Sequence, residues 1–181
     1  MKKKITIAVV CAVLSCVCLI GTTFAWLVDK TDPVENTFTV GNVDIELTES
    51  DDLNLKMVPG NTITKDPKVT VIGGSEACWV FIKIEKSANF DTFMEYAVAT
   101  GWTALADNDG VYYREVAASA ADQHFAVLNG DKVTVKDTVT KAMMDAITAG
   151  TSTNPTLTFT AYAVQRDNIT TAADAWAKVT P

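Results

Sequence analysis

The chain has 181 residues, 48% of them apolar, and a formal charge of −7 at neutral pH. A polyanion of this kind is not drawn by charge to nucleic acid or anionic lipid, and the length suits one domain with a real core rather than two. Charge and size therefore exclude the electrostatic binders and leave enzyme, binding module and structural subunit to be separated by pattern.

Lys2, Lys3 and Lys4 precede an uncharged run that reaches Val28, long enough to cross a hydrocarbon layer of about 30 Å. Lysines before an apolar run hold the N-terminus on the cytoplasmic side, so the remainder is translocated. After Ile20 the apolarity gives way to Gly21, Thr22 and Thr23. Thr23 and Ala25 then fill the two small positions of a signal-peptidase site, so a cut between Ala25 and Trp26 would free residues 26–181 with no permanent membrane span. Two alternatives stay open: an uncut type II anchor, and a lipobox at Val13-Leu14-Ser15-Cys16, which would leave Val17 to Ile20 dangling after the lipid. Loss of residues 1–25 removes three lysines and no acids, so the mature charge becomes −7 − 3 = −10. Cys11, Cys16 and Cys18 go with the leader. Cys78 is left without an intramolecular partner, and its apolar setting reads as a small buried hydrophobe.

Most of the remainder reads as strand. NTFTVGNVDIELTE alternates around Phe38, Val40, Val43, Ile45 and Leu47, with Gly41-Asn42 shifting the phase as a bulge does. KVTVIGGSEACWVFIKIEK is two β-rich runs separated by Gly73-Gly74-Ser75-Glu76, a cluster that reverses or corners the chain. NFDTFMEYAVAT carries Phe90, Phe93, Met94 and Ala97 at helical spacing, with Asp91 as a cap. WTALADNDGVYYREV predicts a hairpin at Asp109-Gly110, and HFAVLNGDKVTVK predicts another, a type I′ turn at Asn129-Gly130. VTKAMMDAITAG predicts a helix ended by Gly150. PTLTFTAYAVQ sets Leu157, Phe159, Ala161 and Ala163 on one face of a late, largely buried strand. TTAADAWAKV predicts a last helix, with Thr171 and Asp174 in an acidic capping box and Trp176 docking on the sandwich. Short strands without βαβ alternation predict a mainly β fold, an antiparallel β-sandwich of jelly-roll type, with two or three short helices in connections and at the C-terminus.

The leader ending GTTFAWLVDK, the following NTFTVGNVDIELTE, and MVPGNTITKDPKVTVIGGSEACWVFIKIE resemble the exported proteins processed by the SipW-type signal peptidase, the TasA and camelysin (CalY) group of Gram-positive bacteria. TLTFTAYAVQ followed by AADAWA is similar to the C-terminal end of many members. The resemblance implies a secreted jelly-roll subunit of the cell surface or extracellular (biofilm) matrix fibres, whose freed N-terminal segment is given as a strand to the next subunit. Residues 26–40 are then the assembly strand, with Trp26, Leu27, Val28, Val34, Phe38 and Val40 as its apolar positions; partly apolar, they suit addition to an open sheet edge. The alternative is that residues 26–40 form an edge strand of their own domain. The implied partners are copies of the chain or a related fibre subunit, with the signal peptidase during export.

Catalytic constellations are poor. The resemblance includes proteins described as metallopeptidases, yet there is no HExxH pair and His124 is the sole histidine, so the usual helical zinc site cannot be built. Asp107-Asn108-Asp109-Gly110 starts like a calcium loop, but Val111 and Ala118 stand where oxygen ligands are needed. Glu49, Asp51 and Asp52 read as a solvated acidic cluster. Ser75, Ser87 and Ser119 lie in no GxSxG elbow, and Gly73-Gly74 continues as Ser-Glu-Ala rather than a phosphate cradle. Trp79, Phe81, Trp102, Tyr112, Tyr113 and Tyr162 are core aromatics or, alternatively, a stacking row for a glycan or peptide. The C-terminus carries no LPxTG-type signal. The expectation is a non-catalytic structural subunit without cofactor or metal, with a monomeric binding or adhesion domain second and a metallopeptidase third.

Overall fold

The computed structural model describes residues 41–50 and 56–179, all within one compact unit that begins at Val40. The predicted cut at Ala25 and Trp26, the assembly strand 26–40 with Leu27, Val28, Val34, Phe38 and Val40, and the acidic residues Asp51 and Asp52 lie outside the described residues.

The elements in chain order are β1 (Ile45–Thr48), β2 (Thr62–Thr64), β3 (Lys68–Val71), β4 (Cys78–Lys86), α1 (Phe90–Phe93), β5 (Met94–Glu95), β6 (Thr103–Ala104), β7 (Val111–Val116), β8 (Gln123–Ala126), β9 (Lys132–Val135), α2 (Lys141–Thr148), β10 (Leu157–Gln165) and α3 (Ala172–Val179). One layer has the order β10-β4-β7-β6, and two three-stranded sheets have the orders β1-β3-β8 and β2-β9-β5. The pairings are antiparallel throughout. Backbone bonds stitch the two small sheets into halves of one bent layer: Val127 N–H donates to Pro67 (2.9 Å), Lys65 to Asp131 (2.8 Å) and Ala99 to Val127 (2.9 Å). The layers close on one core. Val80, Ile82 and Ile84 of β4 with Val116 of β7 meet Ile63, Val69, Val71, Val133 and Val135 of the bent layer. This is the antiparallel sandwich that the strand pattern predicts.

Strand β4 explains why CWVFIKI reads as an unbroken apolar run. Its even residues face the sandwich core, while Trp79 and Phe81 point outward and are covered by α3 through Ala172, Ala175 and Trp176. The Trp176 ring lies 5.1 Å from Phe81 and 5.3 Å, edge-on, from Tyr162. The predicted cap is in place: Asp174 N–H donates to Thr171 Oγ1 at 3.1 Å, and the Thr171 hydroxyl donates to the Asp174 carboxylate at 2.7 Å. The Gly73–Glu76 cluster corners the chain, carrying it from β3 in one layer to β4 in the other.

Two local predictions are corrected. The helix expected through Ala97 stops after Phe93, because Met94 and Glu95 turn extended and pair with Val135 and Thr134 of β9. Ladder bonds and the burial of Phe90 and Phe93 outweigh the helical spacing. Asp91 does not cap this helix; Asn89 holds that position, and the Asp91 carboxylate pairs with Lys86 at 2.7 Å. The Asn129-Gly130 turn makes no hairpin, since β8 pairs with β3 and β9 with β2 and β5. Positive φ falls on Gly130 (67°) and Asp131 (52°), not on Asn129, whereas a type I′ turn needs it at both central residues. The turn instead bends one long strand between the two halves of its layer.

Candidate assembly edge and seam cleft

Strand β10, nine residues long, ends its four-stranded sheet. LTFTAYAVQ contains no charge, no proline and no glycine, and it pairs with β4 over its full length, from Leu157 opposite Lys86 to Gln165 opposite Cys78. Among the described residues no strand pairs with its other side. The expectation of a largely buried strand is thereby corrected: Leu157, Phe159, Ala161 and Ala163 pack on the core, but most residues of β10 are only half-buried because it forms the sheet edge. Edge strands of soluble proteins are ordinarily blunted by charges, proline, bulges or shortness. None of these devices is present on β10.

The other layer borders the same seam. β1 packs against β10, and Gly41 lies so close to Gln165 that a Cβ there would fall 2.9 Å from its Nε2. The entry to β1 is pinned by Glu76 N–H donating to Asn42 (3.0 Å), Ile72 N–H donating to Asp44 (3.0 Å), and Asp44 N–H donating to Ser75 Oγ (3.1 Å). Its exit is pinned by the Lys65–Glu49 ion pair at 2.6 Å and by Ser50, whose hydroxyl and N–H both donate to the Asp66 carboxylate. The Ser50 hydroxyl, and then the Ser50 N–H, hold the Asp66 carboxyl below its ordinary range.

β1 covers β3 but not β2, which has no partner on its outer side among the described residues. There the seam opens into a cleft of about 380 Å³ lined by Met57, Ile63, Phe90, Met94, Val133 and Leu157. Lys65, Asn154 and Thr156 supply its polar groups. The Lys65 ammonium is already matched by Glu49 and sits 5.6 Å above the Phe159 ring. An apolar cleft beside an unblunted edge is equipped to take a strand with a large apolar side chain, because the edge offers backbone bonds and the cleft offers burial.

The remaining candidates resolve into structure. Cys78 is fully buried, and burial pushes its thiol up to about 11. His124 is exposed on β8, its Nδ1 2.9 Å from Thr70 Oγ1. Asp107–Gly110 form the turn between β6 and β7, with Asp107 at φ 59° and Gly110 at φ 76°. Among the described residues no three His, Cys, Asp or Glu side chains gather as a metal site. Ser75 is tied to Asp44, Ser87 Oγ accepts from Thr156 N–H, and the Ser119 hydroxyl donates to the Ala121 carbonyl. Of the aromatics, Trp79 and Phe81 are buried, and the Trp79 and Trp102 indoles donate to Ile169 and Ala126 carbonyls. Tyr112, Tyr113 and Tyr162 are half-buried and pack on the two cores, so the six form no open stacking row. Sequence reasoning missed Arg114, whose guanidinium lies 3.8 Å from the Phe125 ring and 5.3 Å from that of Trp102. Desolvation lowers its pKa, and its buried Nε has no hydrogen-bond partner. It wedges β7 against β8, a role that no local motif announces.

Comparison with curated proteins and with solved structures returns no match. The family model for camelysin metallo-endopeptidases matches residues 1–91, through β4 and into α1. With half of its length matched, the chain belongs to the camelysin family.

Proposed function

We propose that the chain is an exported, non-catalytic structural subunit of the cell surface or extracellular matrix, which associates with copies of itself or with a related fibre subunit through its N-terminal segment. The observation that carries this reading is the nine-residue, charge-free outer edge of β10 beside an open apolar cleft. Such an edge is a template for strand addition. Export is supported by Lys2–Lys4 before the apolar run, and a cut between Ala25 and Trp26 would make the segment available. Among the described residues no helix is long and apolar enough to cross a membrane.

The family name carries metal-dependent peptidase chemistry. The described residues do not fit a catalytic metal: the sole histidine is paired with Thr70 on a strand, and no three His, Cys, Asp or Glu side chains among them gather as a metal site. No catalytic step is therefore assigned to this chain. The test is electron microscopy and sedimentation of the chain beginning at Trp26, together with a chelator-controlled casein digest. Filaments that vanish when residues 26–40 are removed support the reading. A persistent monomer, or casein cleavage abolished by chelator, overturns it.

A further inference from the structure

The dipeptide Asn129-Gly130, which closes no hairpin, is exposed at both residues. The Asn129 N–H donates to the Ala97 carbonyl at 2.9 Å, and the Asp131 N–H reaches back to the Leu128 carbonyl at 3.2 Å, so the chain is pinned before and after the pair. Among the described residues neither the Asn129 side-chain amide nor the Gly130 N–H has a hydrogen-bond partner. A free amide side chain beside a free backbone nitrogen is a pair of reactants already joined by the chain. Gly130 carries no Cβ to bar their approach. The other asparagines are held back in different ways, and Asn129 is the one in the sequence that glycine follows. Val43, Thr62 and Ile169 set a β-branched side chain beside the nitrogen after Asn42, Asn61 and Asn168. Asn154 precedes Pro155, whose nitrogen carries no hydrogen. The Asn89 amide is engaged by Thr153 and Ser87, and that of Asn108 by the Ala106 carbonyl.

We propose that Asn129 is a self-modification site, at which the folded chain converts its own asparagine to isoaspartate and aspartate with water as the only co-reactant. The Gly130 nitrogen attacks the Asn129 side-chain carbonyl carbon. The new C–N bond closes a succinimide ring, the Gly130 N–H proton passes to the departing amide nitrogen, and ammonia leaves. Water then opens the ring at either carbonyl. Opening at the former side-chain carbonyl leaves an ordinary aspartyl peptide; opening at the main-chain carbonyl leaves an isoaspartyl one, in which the chain runs through the side chain and a carboxylate hangs from Cα. No oxidant or reductant is needed. The attack requires the Asn129–Gly130 peptide to rotate, and the turn bond of Asp131 that opposes rotation is at the long end of the hydrogen-bond range and exposed to water. Either product adds a negative charge next to Asp131. The isoaspartyl product also adds a backbone atom to a corner that is fixed on both sides, by buried Val127 and Leu128 and by the Lys65 N–H on the Asp131 carbonyl at 2.8 Å. That corner joins the two halves of the bent layer, so the link between them lengthens as the molecule ages.

The experiment incubates the chain in mildly alkaline buffer without denaturant and follows each asparagine by peptide mapping and mass spectrometry, with an isoaspartate-specific methyltransferase as second readout. Asn129 is expected to lose its amide about tenfold faster or more than any other asparagine among the described residues, with isoaspartate as the main product. Asn129→Gln, whose longer side chain would have to close a larger ring, should abolish the isoaspartate signal at this position. An amide at Asn129 that survives as long as the others, or is lost only in urea, would show that the folded turn keeps the reactants apart and overturn the proposal. Aspartate without isoaspartate would overturn it too, because direct hydrolysis passes through no ring. The isoaspartyl form, separated by anion exchange, should unfold at a lower urea midpoint than the unmodified chain. An equal midpoint would overturn the lengthening of the corner.

Discussion

Replacing Trp176 by alanine tests whether α3 is part of the core or merely rests on it. The indole is 8% exposed, and it sits against Phe81 at 5.1 Å and Tyr162 at 5.3 Å on the outer face of β4 and β10. Truncating a buried tryptophan costs about 3–5 kcal/mol, part transfer and part cavity, and the two ring contacts place this site toward the upper end. For a domain of this size each kcal/mol moves Tm by about 2–4 °C, so the expected fall is roughly 6–20 °C. Urea unfolding of the chain, read by circular dichroism, should show a lower midpoint with an unchanged slope. Trp176→Phe should recover a large part of the loss, since it keeps an aromatic against Phe81. A loss under about 1 kcal/mol would refute the reasoning, because that is the range of surface substitutions and not of a core anchor.

Three further outcomes follow from particular residues. Cys78, buried with its thiol pushed up to about 11, should resist a soluble alkylating reagent at neutral pH and react only as the chain unfolds in denaturant; rapid native labelling would contradict its placement. Gly110→Ala should cost roughly 1–3 kcal/mol in the same urea assay, since φ is 76° and the new Cβ would lie 2.5 Å from the Ile84 carbonyl oxygen. Ser50→Ala should raise the Asp66 carboxyl pKa toward its ordinary value in an NMR titration, because the two Ser50 donors hold it down. The sign is that of a depressed acid: the stabilisation is present above the unfolded-state pKa and lost as pH falls through the folded one, so the variant should lose less stability on acidification than its parent.

Much of this fold is legible in local pattern, and the failures share one cause. Thr171 with Asp174 caps α3 as its spacing announces, and the run CWVFIKI is unbroken because β4 is covered on both faces. Asn129-Gly130 misleads because a turn dipeptide specifies backbone angles, not which strands pair; here the partners are β2 and β3, some 60 residues earlier. The helix at Phe90 is cut short by pairing with β9, another non-local term. β10 reads as core because its alternation is apolar, and only the sheet order reveals it as an edge. Its lack of charge, the trait that makes the edge notable, was visible in the sequence but carries no meaning until the strand is known to be terminal. The cleft was not legible, since it joins residues near 57–65, 90–94, 133 and 154–157. Arg114 likewise acquires its role only from Phe125 in the other layer and Trp102 at the start of the neighbouring β6.

The central claim is that the outer side of β10 is the surface on which copies join. Hydrogen–deuterium exchange of the Leu157–Gln165 amides, in dispersed and in assembled chains, measures it directly. The outward-facing amides should exchange readily in the dispersed chain and slow by about tenfold or more on assembly. Amides already protected before assembly, or unchanged after it, would contradict the account.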